Sequence, residues 1–117
     1  MKIIVEKVIS DNRGISVQFS TDYGSATALW EGDLPISNRD YHVEIDIKDT
    51  LTWNRDILEN DTGRYSIQMQ DSVVLFTGKL DSVENDGYAV LRMGGSIIPF
   101  VTKGAPDRKS TRLNSSH

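Results

Sequence analysis

The residues best suited to chemistry in this sequence are His42, Glu44 and Asp46, three metal-ligand types at every second position. On a β-strand they share one face, and positions two apart are separated by about 6.6–6.8 Å at Cα. His42 and Glu44 are close enough to share a metal ion, but Asp46 is one step further away. Residues 1–106 contain no second histidine and no cysteine to complete a ligand set. We therefore predict no metal site and a solvated strand face.

Recognisable catalytic motifs are absent from the sequence. No Gly-rich phosphate loop precedes a helix, and no G-x-S-x-G, H-E-x-x-H or EF-hand pattern occurs. A general acid–base pair of Glu44 and Asp46 would require a cleft that desolvates one of them, and the surrounding sequence indicates none. We expect neither enzymatic activity nor a cofactor.

The segment that positions these residues, 41–48, alternates apolar and polar side chains along its whole length. A period of two is typical of a half-buried β-strand, so we predict a strand over residues 41–48. Shorter segments of the same kind lie on both sides. Residues 2–9 and 15–19 predict a hairpin whose turn needs a positive φ at Gly14, and residues 26–30 predict a third strand.

The second half of the chain continues this pattern. The apolar run 73–76 predicts a strand covered on both faces, with a bulge or bend at Gly78. Turns at Asp86–Gly87 and Gly94–Gly95 delimit two further strands, and Pro99 predicts that the last one lies at an edge or a bulge.

Two structures remain open for residues 49–59. Asp49 or Thr50 is a suitable N-cap for a short helix. Against this, Leu51 and Trp53 continue the period of two, and Asn54 is a turn former. We favour an extended segment with a turn near Asn54.

Seven to nine short strands with almost no helical period predict a single all-β domain over residues 1–106, either a small antiparallel barrel or a curled sandwich. We favour the barrel, because the last third has meander connectivity and a bend at Gly78. The pattern of residues 40–101 resembles the small five-stranded OB-type barrels. It carries no family motif, so the resemblance assigns no functional residue.

The C-terminal residues 107–117, DRKSTRLNSSH, resemble the in-frame translation of a common sequencing-library adapter at every position. We therefore treat this segment as a non-native tail that we expect to be disordered. On this interpretation the natural sequence is interrupted after Pro106, and a final C-terminal strand is missing if the native chain continues.

Charge and composition narrow the classes of partner. Residues 107–117 hold three of the 13 Lys and Arg and one of the 17 Asp and Glu, so residues 1–106 carry a net charge of −6. This charge disfavours nucleic acid and favours a basic protein as partner. The N-terminal apolar run is too short for a signal peptide or a membrane span, so we expect a soluble, cytoplasmic protein.

These observations leave two hypotheses for function. The first is a small non-catalytic acidic binding module, similar to bacterial immunity proteins in size, acidity and lack of motif. The candidate partner-binding residues are Glu44, Asp46, Asp49, Trp30 and Trp53, with the loop acids Glu31 and Asp33 in support. For both tryptophans we favour packing over interface anchoring.

The alternative is an OB-type barrel that binds single-stranded nucleic acid or oligosaccharide through its tyrosines. The basic groove that nucleic acid requires is not visible in the sequence. Cross-strand packing is the simpler role for Tyr23, Tyr41, Tyr65 and Tyr88.

Overall fold

The computed structural model describes residues 1–104. Within these residues the chain forms ten β-strands and no helix. The all-β class predicted from the sequence is confirmed. The strands are β1 (Lys2–Asp11), β2 (Gly14–Thr21), β3 (Gly24–Trp30), β4 (Arg39–His42), β5 (Thr50–Thr52), β6 (Ser66–Gln70), β7 (Val73–Thr77), β8 (Lys79–Val83), β9 (Tyr88–Met93) and β10 (Ser96–Lys103).

The described chain divides into two compact units, and each unit contains one sheet. The first unit comprises residues 1–44 and 64–77 and holds a six-stranded sheet of order β4-β1-β2-β3-β6-β7. The second comprises residues 45–63 and 78–104 and holds a four-stranded sheet of order β5-β10-β9-β8. Each sheet ends in two edge strands, so neither closes on itself. The barrel that we favoured from the sequence is therefore not formed by the described residues.

The first three strands form an antiparallel meander. β1 and β2 are the expected hairpin, and β3 adds to β2. Gly14 has a φ of 124°, a conformation that side chains rarely adopt, so the turn needs glycine. The register of β1 against β2 shifts between Val5 and Lys7. A bulge of this kind bends a strand and increases its local twist.

The core of the first unit comes from alternate positions on its strands. A period of two places these side chains on one face of the sheet, and burial of each large one contributes about 1.5–3 kcal/mol. The buried apolar residues are Ile3, Val5, Val17, Phe19, Ala26 and Ile67.

The β6–β7 hairpin joins this sheet through one residue pair. Gly24 of β3 is the parallel partner of Ile67, whose N–H donates to the carbonyl of Tyr23 at 3.0 Å. The hairpin turn consists of Asp71 and Ser72, with φ of 52° and 67°. Two consecutive positive φ values are the geometry of a type I′ turn, the usual two-residue connection of a hairpin.

β7 is the last strand of the six-stranded sheet, which corrects the prediction for residues 73–76. We expected cover on both faces, yet Val73 is 56% exposed and Leu75 is 40% exposed. A continuous apolar run indicates a strand, but it does not reveal whether a neighbour covers both faces.

The second unit pairs β9 with β8 and β10 in antiparallel ladders. The turns at Asp86–Gly87 and Gly94–Gly95 lie where the sequence predicted them. β5 pairs in parallel only with Val101, Thr102 and Lys103. β10 lies between β5 and β9, and its ladder with β9 has no register shift, so the prediction that the last strand lies at an edge or a bulge is wrong. Pro99 is tolerated inside the sheet because β5 does not extend to it. The buried residues of this unit are Ala89, Met93, Ile98, Phe100 and Thr102.

Residues 41–48 are strand only at their start, which corrects the prediction of one continuous strand. β4 ends at His42, and Val43 still exchanges main-chain hydrogen bonds with Met1 at 2.8 and 2.6 Å. Side-chain exposure alternates through the segment as predicted, but residues 44–48 have no assigned strand. The unit boundary lies between Glu44 and Ile45, so the chain leaves the first sheet here.

The extended alternative for residues 49–59 is confirmed. β5 is followed by a turn over residues 54–56, and Asn54 adopts a φ of 65°. The Asp56 carboxylate holds this turn, because it accepts a hydrogen bond from the N–H of Thr52 at 2.8 Å.

Two further predictions concern the whole chain. The tail, residues 107–117, lies outside the described residues. The single domain over residues 1–106 stays a prediction. Among residues 1–104, no helix has the length and apolarity to cross a membrane.

Candidate functional site

Two aromatic side chains of the first unit hold the loop of residues 31–38. The rings of Trp30 and Tyr41 meet edge to face, with centroids 5.3 Å apart and an interplanar angle of 70°. Nε1–H of Trp30 donates a hydrogen bond to the carbonyl of Asp33 at 2.7 Å. The hydroxyl of Tyr41 accepts one from the N–H of Ile36 at 2.8 Å. We call residues 31–38 the clamped loop, because its backbone is tied to both rings.

The curl of the sheet brings the two rings together. Trp30 is the partner of Ile15 on β2, and Tyr41 is the partner of Ile3 on β1, so both rings belong to the core side of the sheet. β3 and β4 are three strand spacings apart, about 14 Å in a flat sheet. Ring contact across this distance requires long side chains and strong curl, to which the bulge in β1 contributes.

The clamped loop presents two aliphatic side chains on either side of a buried proline. Leu34 is 67% exposed and Ile36 is 54% exposed, whereas Pro35 between them is buried. Glu31 and Asp33 are exposed at the start of the loop. An ordered loop of this composition suits an apolar pocket with basic groups at its rim.

The acidic residues of segment 44–49 are exposed but divided between the units. Glu44 belongs to the first unit, whereas Asp46 and Asp49 belong to the second. Asp46 forms an ion pair with Lys48 at 3.0 Å. Exposed pairs of this kind contribute little to stability. A role of Glu44, Asp46 and Asp49 in partner binding stays a prediction.

The two tryptophans have different neighbours. Both are half-buried. The indole of Trp30 holds the clamped loop. The contacts of Trp53, in the second unit, are made by its main chain, which forms a β-bridge with Ile57 and donates its N–H to the carbonyl of Lys103 at 3.1 Å. Trp30 therefore fixes the loop beside it.

Three of the four tyrosines have packing roles in the first unit. Tyr23 and Tyr65 meet edge to face at 5.7 Å, and Tyr41 packs on Trp30. Tyr88 lies on β9 of the second unit and is 39% exposed. The alternative OB-type function was argued from a closed barrel, which the described residues do not form.

The described residues contain no group of three or more His, Cys, Asp and Glu side chains that could hold a metal ion. His42, Glu44 and Asp46 are each exposed. The predicted solvated character of this polar face agrees with their exposure, although the regular strand ends at His42.

The carboxyl groups with a shifted pKa are kept charged rather than neutral. The side-chain hydrogen bond from Arg55 is the main cause of the lowered pKa of Asp56. The side-chain hydrogen bond from Arg92 likewise lowers the pKa of Asp81. In Asp11 the main cause is a backbone N–H two residues further on. A general acid working at neutral pH needs a raised pKa, so these carboxyls suit turns and ladders rather than proton transfer.

The apolar half of the clamped loop was not predicted from the sequence. Glu31, Asp33 and Trp30 were candidate residues, but Leu34 and Ile36 were not. One signal was available, because two aliphatic residues around a proline in a polar, turn-rich loop have no strand face to occupy. Nothing in the local sequence indicated the contact between Trp30 and Tyr41.

Comparison with protein-family models, curated proteins and solved structures finds no match to this chain. No activity or residue role can therefore be carried over from a relative.

Proposed function

We propose that this chain is a non-catalytic binding module that covers a basic partner protein, as an immunity-type inhibitor does, and that the clamped loop is its docking surface. One observation carries the proposal. Leu34 and Ile36 stand exposed on a loop whose backbone is tied to Trp30 and Tyr41. A loop ordered before binding loses less conformational entropy when it docks, so more of the contact energy remains as affinity.

The chemistry of the loop indicates the chemistry of its partner. Leu34 and Ile36 require an apolar pocket, and burial of such a side chain contributes about 1.5–3 kcal/mol. Glu31 and Asp33, together with the net charge of −6 of residues 1–106, favour Lys and Arg around that pocket. We also propose a cytoplasmic location, which the absence of cysteine supports, since many small secreted domains rely on disulfides.

Site-specific photocrosslinking identifies the partner. A photoreactive side chain is placed at position 34, and as a control at position 29, in the protein added to an extract of its source cells. Leu29 is also 67% exposed but lies on β3 outside the loop. We expect a basic protein to crosslink from position 34 and not from position 29. Crosslinks to nucleic acid, or equal yields from both positions, would contradict the proposal.

Binding kinetics with the purified partner then test each half of the loop. Leu34→Ala should raise the dissociation rate constant by roughly tenfold, because it removes an anchor from its pocket. Replacing Glu31 and Asp33 by Gln and Asn should mainly slow association and weaken its salt dependence. Surface plasmon resonance at two ionic strengths separates the effects, with Leu29→Ala as the matched truncation. An unchanged dissociation rate for Leu34→Ala would overturn the assignment of the loop.

A further inference from the structure

Three of the four sheet edges in residues 1–104 carry features that hinder pairing with another strand. Natural edge strands are protected by charged residues, bulges or short length. β4 contains Arg39 and Asp40, and β5 has three residues. β8 contains Lys79 and Asp81 and has a register shift against β9. β7 is the exception, since it has no charged residue and no proline, and its ladder with β6 is unbroken.

The hydrogen-bond alternation of the hairpin defines which groups β7 offers. In a two-residue hairpin the residues flanking the turn, here Gln70 and Val73, form a hydrogen-bonded pair. Hydrogen-bonded and non-hydrogen-bonded residue pairs alternate along the ladder, so the main-chain groups of Leu75 also form their hydrogen bonds with β6. Val74 and Phe76 direct their N–H and C=O groups to the open edge.

We propose that β7 pairs in antiparallel fashion with β7 of a second copy of this chain, with Leu75 facing Leu75. This register uses the whole strand and sets Val74 of each copy opposite Phe76 of the other. All outward groups of these two residues are then satisfied by four main-chain hydrogen bonds. The arrangement is self-complementary, as a two-fold dimer requires.

The absence of charge on β7 makes a second copy of this strand a suitable occupant of the edge. Two chains that each carry a net charge of −6 over residues 1–106 repel one another, and pairing of β7 with β7 sets no like charges directly opposite each other. The segment Val73–Thr77 contains no charged residue. In the proposed register Val73 of one copy faces Thr77 of the other, and the remaining facing pairs are entirely apolar. Leu75 and Val73, which are partly exposed in the single chain, gain cover from the pairing.

The size of the contact indicates a weak dimer. Stable interfaces bury about 1,200–2,000 Å² in total, and one pair of five-residue strands provides less. Sedimentation velocity from about 10 μM to about 1 mM, a range suited to weak interfaces, should show reversible dimerisation. A wild-type protein that stays monomeric over this range would overturn the proposal.

A charge at the centre of the strand tests the register. Leu75→Lys places two ammonium groups opposite each other and should weaken dimerisation at least tenfold. Gln68→Lys is the matched control, since Gln68 is the ladder partner of Leu75 on β6, one strand away from the edge. It adds the same charge on the same face and should retain most of the dimerisation. Circular dichroism checks that both variants fold.

Mixing opposite charges gives the sharpest result. Leu75→Lys and Leu75→Glu variants should each be monomeric alone and should form a heterodimer when mixed, because the facing residues then attract. Leu75→Lys dimerising like the wild type, or a mixture without heterodimer, would overturn the proposal. Leu34→Ala should leave dimerisation unchanged, so this test and that of the clamped loop succeed or fail separately.

Discussion

Thr52 and Thr102 both place a hydroxyl group in the second unit, but only the hydroxyl of Thr102 has a hydrogen-bond partner among the described residues. Oγ1 of Thr52 is buried without a hydrogen-bond partner among the described residues. Oγ1 of Thr102 donates to the carbonyl of Gly87 at 2.8 Å. A buried polar atom without a partner costs about 1–3 kcal/mol, whereas a satisfied hydrogen bond contributes about 1 kcal/mol.

Valine substitutions at the two threonines should therefore have opposite effects. Thr52→Val should raise the free energy of unfolding by about 1 kcal/mol, because it removes a hydroxyl that has lost water and gained no partner. Thr102→Val should lower it by about 1 kcal/mol. Urea unfolding of both variants beside the wild type measures the difference. A destabilised Thr52→Val variant would mean that the Thr52 hydroxyl is satisfied.

At the scale of elements, the attachment of the β6–β7 hairpin depends on one glycine. Gly24 has a φ of 139°, and a Cβ at this position would collide with the carbonyl oxygen of Ile67. The obstacle is backbone, so it cannot rotate away as a side chain would. Gly14 has a similar φ of 124° but open space around the position of its absent Cβ.

Alanine at each glycine separates backbone strain from collision. Gly14→Ala should cost about 1 kcal/mol through its positive φ alone. Gly24→Ala should cost at least about 2 kcal/mol, since the collision with Ile67 adds to the strain. Hydrogen exchange should also be faster in β6 and β7 for Gly24→Ala and unchanged there for Gly14→Ala. Equal stability losses and equal exchange in the two variants would contradict a role of Gly24 in docking the hairpin.

At the scale of the whole molecule, carboxylates link the stability of the fold to pH. Asp11, Asp56 and Asp81 each have a pKa below the ordinary value of 3.8, and each accepts hydrogen bonds from a neighbouring arginine residue. A lowered pKa in the folded state means that the folded protein binds these protons less readily than the unfolded chain. Their stabilisation is fully present above pH 3.8 and is lost as the pH falls through the folded pKa values.

Replacement of one carboxylate should reveal this dependence. Asp81→Asn removes the ion pair with Arg92 at 2.8 Å and should be less stable than the wild type at neutral pH. The difference should shrink as the pH falls below 3.8, because the wild type then loses the same interaction. Urea midpoints of both proteins across this range provide the measurement. A difference that stays constant with pH would contradict the linkage.

Local pattern was sufficient for those parts of the fold that local chemistry controls. The first hairpin, the third strand, the turn at Asn54 and the turn at Gly94–Gly95 all follow from alternation and turn residues that are close in sequence. In the same way Glu31, Asp33 and Trp30 were identified as candidate site residues from their types alone. A β-strand and a tight turn are each specified within a few residues.

Tertiary structure decided everything that depends on which strands meet. The sequence of residues 41–48 determined which side chains face solvent, but the loss of pairing after Val43 follows from the passage of the chain into the second unit. The open sheets, the exposed edge of β7 and the contact of Trp30 with Tyr41 depend on partners distant in sequence. The physical reason is that a period of two is a property of one strand, whereas pairing and closure depend on packing between strands and on the entropy of the loops that join them.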